Sequence, residues 1–252
     1  MKLRVLDLFS GIGGFSLGLE RTGFFETVAF CEIEKYPQKV LAKHWPEVPI
    51  YEDVRKLTAK RLISDGIGNI QVITAGFPCQ DVSVAGAQAG IEGERSGLWS
   101  ECAHLLGDIQ PKYAIFENVT NLLAGGGGGW FKRILWDISC CGYDAEWYCI
   151  PSAAVGAHHN RGRVWIIAYP KGERVQGLRP CGEQILLAHE IERLLMCCRE
   201  DGGFPIWKTE PDICRVVDGI PSRAHRVKAL GNSVTPQIPE LIGRALINAG
   251  GI

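Results

Sequence analysis

Short apolar runs alternate with amphipathic segments over the first 120 residues or so, and this alternation constrains the fold more than any other feature. Runs at 3–9, 26–33, 72–75 and 113–116 predict strands, and segments 14–21, 36–44 and 99–109 predict helices. Strands that alternate with helices form a mostly parallel sheet covered by helices on both faces. The sequence therefore predicts an α/β fold.

The later part of the chain divides into three stretches. A helix and two strands, 145–150 and 164–169, complete a main domain over residues 1–169. Residues 170–211 lose the alternation, hold one helical piece at 183–199, and predict a small inserted module. Residues 212–252 regain order, end in a helix at 239–249, and are expected to return to the main domain. The five glycines at 125–129 predict a flexible loop.

Composition bounds the class of protein. The chain has 252 residues, 46% hydrophobic and 22% charged, which is typical of one globular domain with a full core. No apolar run approaches the roughly 20 residues that span a bilayer, and no secretory leader is recognisable. Ten cysteines are too sparse for a disulfide framework. We expect a cytoplasmic protein with free thiols.

The net charge of −1 gives no global sign of a nucleic-acid partner. A polyanion needs only a local basic face, so this value does not exclude one. Candidate basic patches are Arg161/Arg163, Lys171/Arg174/Arg179 and Arg223/Arg226/Lys228. These residues can equally be scattered charges on a solvated surface.

Four polar residues fall at or just after the ends of predicted strands. They are Asp7, Glu32, Cys79 and Glu117. Ligands of parallel α/β sheets bind beyond the carboxyl ends of the strands, where the strand order reverses. The sequence therefore predicts a site at this edge of the sheet.

A glycine turn follows the first predicted strand. Gly11, Gly13 and Gly14 have the spacing Gly-x-Gly-Gly, which fits a nucleotide or adenosyl cofactor and differs from the dinucleotide pattern Gly-x-Gly-x-x-Gly. Glu32, after the second strand, stands where a carboxylate accepts hydrogen bonds from ribose hydroxyls. It can also be an ordinary loop carboxylate.

Cys79 follows a proline at the tip of a predicted strand, in Gly76-Phe77-Pro78-Cys79-Gln80. This position presents the thiol to a ligand, whereas most free cysteines are small buried hydrophobes. A zinc site built from Cys181, His189, Cys197 and Cys214 lacks paired ligand spacing, so we expect no metal.

Five motifs in order carry a resemblance to a known family. They are Asp7-Leu8-Phe9-Ser10-Gly11-Ile12-Gly13-Gly14-Phe15, Gly76-Phe77-Pro78-Cys79-Gln80, Phe116-Glu117-Asn118-Val119, Arg161-Gly162-Arg163 and Gly231-Asn232-Ser233-Val234. The set resembles that of the DNA cytosine-5 methyltransferases over nearly the whole chain, except residues 170–211. The resemblance implies a Rossmann-like, S-adenosylmethionine-dependent methyltransferase fold, with 170–211 as a small target-recognition module.

The resemblance also implies roles for particular residues. Cys79 resembles the nucleophile, Glu117 the carboxylate that engages the target base, and Arg163 its supporting cation, with Arg161 nearby. Glu117 should keep or share a proton, so its pKa should be raised. The S-adenosylmethionine pocket would be formed by Phe9, Gly11, Gly13, Gly14, Glu32, Ile33, Asp53, Val54, Pro78, Leu98, Asn232 and Ser233. Residues 86–99 resemble the mobile loop that closes over substrate.

The implied substrate is duplex DNA, with the target cytosine flipped out of the helix. The expected DNA contacts are Gln80, Ser83, Arg95, Arg174, Arg179, Lys208 and Arg223. We expect sequence recognition in residues 170–211, whose shortness suggests a short target site. The expected assembly is a monomer, and a restriction endonuclease is a possible partner.

Three other functions remain open. The first is RNA cytosine methylation, because one branch of this family modifies transfer RNA. The second is a catalytically silent DNA-binding relative, which would have no chemical reason to keep Cys79, Glu117 and Arg163. The third is a nicotinamide oxidoreductase with a redox cysteine, which predicts no binding of S-adenosylmethionine.

Overall fold

The computed structural model describes residues 1–78, 97–172, 187–200 and 223–251. Its strands are β1 (Leu3–Leu8), β2 (Phe25–Cys31), β3 (Ile50–Tyr51), β4 (Val72–Ala75), β5 (Tyr113–Val119), β6 (Tyr143–Pro151) and β7 (Gly162–Pro170). Its helices are α1 (Gly14–Arg21), α2 (Lys35–His44), α3 (Ala59–Ser64), α4 (Leu98–Ile109), α5 (Gly129–Cys140), α6 (Leu187–Glu200), α7 (Arg223–Asn232) and α8 (Gln237–Leu246).

The strands of these ranges form one sheet in the order β3-β2-β1-β4-β5-β7-β6. Neighbours from β3 through β5 pair in parallel, and β7 lies antiparallel between β5 and β6. The chain adds strands on one side of β1 and then crosses to the other side at β4. The strand order therefore reverses between the carboxyl ends of β1 and β4, where such sheets bind ligands.

Apolar side chains fill both faces of the sheet. On one face, α4 and α5 bury Leu106 and Ile134 against strand residues such as Phe116. On the other face, α1 and α8 bury Leu19 and Ile242 in a second cluster. The predicted α/β class, with helices on both faces, is confirmed.

The helix α6 packs on the main sheet domain. Ile191 is buried in the same cluster as residues of α8, and Asn248 Nδ2 donates a 2.6 Å hydrogen bond to Glu190 Oε1. The sequence predicts this helix to be part of the inserted module. The boundaries 1–169, 170–211 and 212–252 stay predictions, because residues 173–186 and 201–222 lie outside the described ranges.

The five-glycine run, which its composition predicted to be a flexible loop, has a defined local geometry. Gly125–Gly128 forms a tight turn with positive φ at Gly126, Gly127 and Gly128, and Gly129 is already the first residue of α5. The Trp130 ring lies over the turn, where a Cβ on Gly125 would come within 1.7 Å of it. A glycine is therefore needed there to make room for the indole ring.

The described ranges contain neither a membrane-spanning helix nor a metal-binding cluster. No helix in these ranges is both long and apolar enough to cross a membrane. The same part of the chain holds no cluster of three or more histidine, cysteine, aspartate or glutamate side chains arranged to hold a metal ion.

Candidate active site

The turn after β1 has an unusual backbone. Phe9 has φ 52° and Gly11 has φ 53°, so both adopt the left-handed region. For a non-glycine residue such as Phe9 this conformation is uncommon and tends to occur at functional sites. The Ser10 hydroxyl fixes the turn, because it donates to the Asp7 carbonyl at 2.6 Å and accepts from the Cys31 amide at 3.2 Å.

Glu32 follows β2 and is tied to this turn. Its Oε2 accepts a 2.7 Å hydrogen bond from the Gly11 amide, and its Oε1 accepts one of 2.7 Å from the Glu34 amide. Burial raises the pKa of Glu32, although these hydrogen bonds lower it. A carboxylate has further lone pairs, so Glu32 can still accept hydrogen bonds from a ligand.

A cavity of about 500 Å³ opens beside Glu32, and we call it the donor cavity. It is lined by Phe9, Cys31, Glu32, Ile33, Glu34, Glu52, Asp53, Val54, Arg55, Pro78, Leu98 and Lys228. Ile33 is 61% exposed, which leaves an apolar surface available at this edge. Among these lining residues the carboxylates outnumber the cations.

Asp53 is held in place on the wall of the donor cavity. Its two oxygens accept hydrogen bonds of 2.9 Å from Nε and Nη2 of Arg55. These hydrogen bonds lower the pKa of Asp53, so the carboxylate stays ionised. It can therefore accept a hydrogen bond from a ligand amino group.

A second cavity, of about 330 Å³, adjoins the first, and we call it the base cavity. The two cavities share Phe9, Glu32, Ile33, Glu34 and Pro78. The base cavity is also lined by Gly11, Gly76, Phe77, Glu117, Asn118, Val119, Arg161, Arg163, Ala229, Gly231 and Asn232, with Pro37 beside them. A ligand in one cavity would therefore lie next to a ligand in the other.

An ion pair stands in the base cavity. Glu117 on β5 pairs in register with Trp165 on β7, and Arg163 lies two residues away on the same face of β7. The Arg163 Nε atom lies 2.8 Å from Glu117 Oε1. Burial raises the pKa of Glu117, although Arg163 and Arg161 act in the opposite direction. The raised pKa of Glu117 agrees in direction with the shift that the sequence predicted.

Arg161 connects the base cavity to the C-terminal part of the chain. Its Nη1 donates a 2.6 Å hydrogen bond to the carbonyl of Gly231, at the end of α7. Burial and the neighbouring Arg163 lower the pKa of Arg161. The paired arginines thus have different partners, since Arg163 contacts the carboxylate and Arg161 the backbone of α7.

Asn118 is a site residue to which sequence analysis gave no role. It is 2% exposed, and its Nδ2 donates a 3.2 Å hydrogen bond to the carbonyl of Phe77. Its Oδ1 accepts from the Val119 amide at 2.8 Å. Asn118 therefore ties the end of β5 to the turn that leads to Cys79. Its place in the Phe116-Glu117-Asn118-Val119 motif was the only signal available.

Three of the predicted cofactor residues, Gly13, Gly14 and Ser233, line neither cavity and pack against other parts of the protein. A Cβ on Gly13 would lie 2.7 Å from Trp45, and one on Gly14 would lie 2.7 Å from Val234 and 3.0 Å from Ser233 Oγ. These glycines therefore let α2 and the C-terminal segment approach the turn. Their contact with a cofactor stays a prediction. The other predicted cofactor residues line one or both cavities.

Several predicted residues cannot be placed. Cys79, Gln80, Ser83, Arg95, Arg174, Arg179 and Lys208 lie outside the described residues, as does the side chain of Arg223 at the start of α7. Most of the predicted substrate-closing loop, 86–99, also lies outside. Its last residue, Trp99, is in α4 and is 2% exposed, so it belongs to the core.

The donor cavity fits S-adenosylmethionine in the character of its lining. Its lining offers carboxylate acceptors at Glu32 and Asp53 and an apolar surface at Ile33, which are the kinds of group that bind a nucleoside. The excess of carboxylates suits a ligand that carries a positive sulfonium.

Comparison with known proteins decides the family. The family model described as C-5 cytosine-specific DNA methylase matches residues 3–193. This chain belongs to that family. It is 34% identical over 171 residues to the type II methyltransferase M.CviJI of Paramecium bursaria Chlorella virus IL3A, and the match covers 68% of this chain and 44% of that protein. The chain spans about half or less of the length of the first curated relatives.

Solved structures support the same fold. A putative DNA modification methyltransferase encoded within a prophage of E. coli is 27% identical, with a TM-score of 0.58 over 68% of this chain and 47% of that one. The Entamoeba histolytica methyltransferase EhMeth has a TM-score of 0.65 over 98% of both chains, at 16% identity, which supports the fold alone. The predicted family and the Rossmann-like methyltransferase fold are confirmed.

Proposed function

We propose that this protein transfers a methyl group from S-adenosylmethionine to carbon 5 of cytosine in duplex DNA. The observation that carries the proposal is the buried Glu117–Arg163 ion pair in a cavity that adjoins the acidic donor cavity. Membership of the C-5 cytosine-specific family and the similarity to type II methyltransferases support it.

Glu117 would engage the target base. Burial raises its pKa, which favours the protonated carboxyl that hydrogen bonding to the ring nitrogen N3 requires. Drawing electron density toward N3 makes carbon 6 more open to attack. The planar guanidinium of Arg163 would hold the Glu117 carboxyl in position through the 2.8 Å contact.

Cys79 would be the nucleophile. It follows Pro78 in the chain, and Pro78 lines both cavities. Its thiolate would form a bond to carbon 6, so that carbon 5 gains enamine character and can take the methyl group, with S-adenosylhomocysteine as the leaving group. Loss of the carbon-5 proton and breakage of the sulfur–carbon bond would then restore the thiolate and release 5-methylcytosine.

The donor would occupy the larger cavity. When bound, S-adenosylmethionine supplies an electrophilic methyl group on a positive sulfur. We assign Glu32 to the ribose hydroxyls, Ile33 and Phe9 to the adenine ring, and Asp53 to its amino group. Val54, Pro78 and Leu98 line the same cavity, and Gly11 and Asn232 line the adjoining one.

Duplex DNA is the proposed substrate, with the cytosine flipped into the base cavity, because a stacked base cannot present carbon 6 to a thiol. We assign target recognition to the module at 170–211, whose helix α6 packs on α8 through Ile191. A monomeric state and a restriction endonuclease partner stay predictions.

Glu117→Gln tests the assignment. The amide cannot supply the carboxyl proton, so we expect methyl transfer to fall by about 10²- to 10⁴-fold while donor binding stays within about twofold. The measurement is transfer of labelled methyl groups to duplex DNA, with transfer RNA as the alternative acceptor.

Glu146→Gln is the matched control. Glu146 is a partly buried carboxylate on β6, hydrogen-bonded to Tyr169 at 2.9 Å, and lies outside both linings. This variant should keep wild-type transfer. Labelling of transfer RNA but not DNA would overturn the proposed substrate, and full activity in Glu117→Gln would overturn its role.

A further inference from the structure

One helix borders both cavities. In α7, Lys228 lines the donor cavity, whereas Ala229, Gly231 and Asn232 line the base cavity. The motif Gly231-Asn232-Ser233-Val234 begins at the end of α7. It therefore assigns no role to Lys228. The position of α7 therefore affects the shape of both cavities.

Two contacts hold α7 against the start of α2. The Nζ atom of Lys228 lies 2.6 Å from Glu34 Oε1. The ring of His225 stacks on that of Tyr36, with centroids 5.9 Å apart and planes 19° apart. The two residues that α7 contacts, Glu34 and Tyr36, follow Glu32 and Ile33 in the chain. Glu32 and Ile33 line the donor cavity. The contacts thus join a C-terminal helix to the segment that carries the proposed ribose acceptor.

The connection continues to Glu32 through the backbone. Glu34, which pairs with Lys228, also donates a 2.7 Å hydrogen bond from its backbone amide to Glu32 Oε1. Burial raises the pKa of Glu32, and the negative charge of Glu34 adds to this effect. The ammonium group of Lys228 offsets that charge. The ion pair therefore acts on both the position and the electrostatic surroundings of Glu32.

A second ion pair, between Lys35 and Glu52, serves as a comparison. Glu52 lines the donor cavity, and the side chains of Lys35 and Glu52 are 70% and 67% exposed. Lys228 and Glu34 are 55% and 41% exposed, so their attraction is less weakened by water. The Lys228 pair also joins residues 194 positions apart in the chain. It is therefore the better candidate for fastening one part of the fold to another.

We propose that Lys228 is a positioning residue for the methyl donor, which it acts on through Glu34 and the placement of α7. The inference rests on the proposed function, because it assumes that the donor occupies this cavity. Breaking the ion pair should weaken donor binding and leave the chemical groups of the base cavity in place.

Calorimetric measurement of S-adenosylhomocysteine binding without DNA tests the role of Lys228 directly, on this chain and three variants of it. Lys228→Met should bind about two- to fivefold more weakly than wild type, which is the range expected for a partly exposed pair. Lys228→Arg keeps the charge and should restore most of the affinity. Arg133→Gln is the matched control, since it removes a 60% exposed cation from an ion pair on α5, and it should bind like wild type.

Two further measurements distinguish a positioning role of Lys228 from misfolding of the variant. Raising NaCl from about 50 mM to about 500 mM should weaken wild-type binding toward that of Lys228→Met and change the variant little. In methyl transfer, Lys228→Met should raise the donor KM by the same factor and leave kcat within about twofold. A misfolded variant would instead lose kcat.

The outcomes are distinguishable. If wild type binds S-adenosylhomocysteine and Lys228→Met binds it equally well, this inference is overturned and the proposed function stands. A weakened variant that Lys228→Arg does not rescue also overturns it, because charge would then not be the cause. If wild type does not bind the ligand, both the inference and the proposed donor are wrong.

Discussion

At Glu117, the effect of burial exceeds that of two guanidinium groups. Arg163 lies 2.8 Å away and would by itself lower the pKa, yet the net direction is upward because the carboxyl is removed from water. A carboxylate in a hydrated ion pair would be ionised at neutral pH. Burial therefore lets Glu117 keep its proton to a higher pH than such a carboxylate would, in the direction that the proposed contact with a base requires.

Asp7 is a second buried carboxyl, and it lies at the end of β1. Ser16 donates to its Oδ2 at 2.7 Å and Thr74 donates to its Oδ1 at 2.8 Å, so it joins α1 and β4 to β1. Burial raises its pKa to about 7, although both hydrogen bonds lower it. The folded protein therefore holds a proton on Asp7 at pH values where the unfolded chain has released it.

This predicts a pH dependence of stability. Because the folded pKa is raised, the contribution of Asp7 is full below the unfolded pKa of 3.8 and is lost as pH rises toward about 7. Between pH 5 and pH 8, wild type should lose about 2 to 3 kcal/mol of unfolding free energy relative to Asp7→Asn. Urea unfolding of both proteins at the two pH values measures this difference. A difference that stays constant with pH would contradict the account.

Single residues also mark a limit of sequence analysis. The Gly-x-Gly-Gly spacing predicted a ligand at this turn, and it gave no sign that Gly13 and Gly14 also lie against Trp45 and Val234. A sequence shows that a position needs glycine without showing which atoms occupy the space beside it. Asn118 was missed for the same reason, because its partner is a backbone carbonyl more than 40 positions away.

At the scale of elements, the first half of the chain was predictable. The predicted helix 14–21 and strand 72–75 have the same bounds in the structure, and the other early elements differ by a few residues. Each is a periodic apolar run that ends at a turn, so local pattern and tertiary burial agree.

Other elements were missed for identifiable reasons. β3 has two residues and α3 has six, which is too short for a periodic signal. Half of the residues of α7 are polar, and its contacts with Glu34 and Tyr36 are made across almost 200 positions of the chain. The antiparallel insertion of β7 between β5 and β6 is a long-range pairing that local pattern does not encode.

The packing of α1 on α8 gives a prediction at this scale. A Cβ on Gly18 would lie 2.1 Å from the Pro236 carbonyl oxygen and 2.9 Å from the Pro239 Cβ. Gly18→Ala gains about 1 kcal/mol of helix propensity, but the backbone of the C-terminal segment must move. We expect a net loss of about 1 to 3 kcal/mol in the free energy of unfolding, measured by urea titration.

Gly68→Ala is the control for this substitution. A Cβ there would have no atom within 4 Å, so the variant should stay within about 0.5 kcal/mol of wild type. Equal stability of the two variants would show that α1 and α8 do not pack as closely as described.

At the scale of the whole molecule, the functional groups converge because of the sheet topology. The strand order reverses between β1 and β4, and β7 places Arg163 beside the end of β5. The C-terminal segment then returns, so that α7 borders both cavities and α8 packs on α1. Residues separated by more than 200 positions therefore form one site.

The most direct test of the proposed chemistry is covalent capture at Cys79. On duplex DNA substituted throughout with 5-fluorocytosine, in the presence of S-adenosylmethionine, the fluorine cannot leave carbon 5 as a proton does. The sulfur–carbon bond should then persist and give a protein–DNA adduct that survives denaturing electrophoresis. Wild type and Cys149→Ala, which removes an exposed cysteine elsewhere, should form the adduct, and Cys79→Ala should not. An adduct in Cys79→Ala, or none in wild type, would contradict the account.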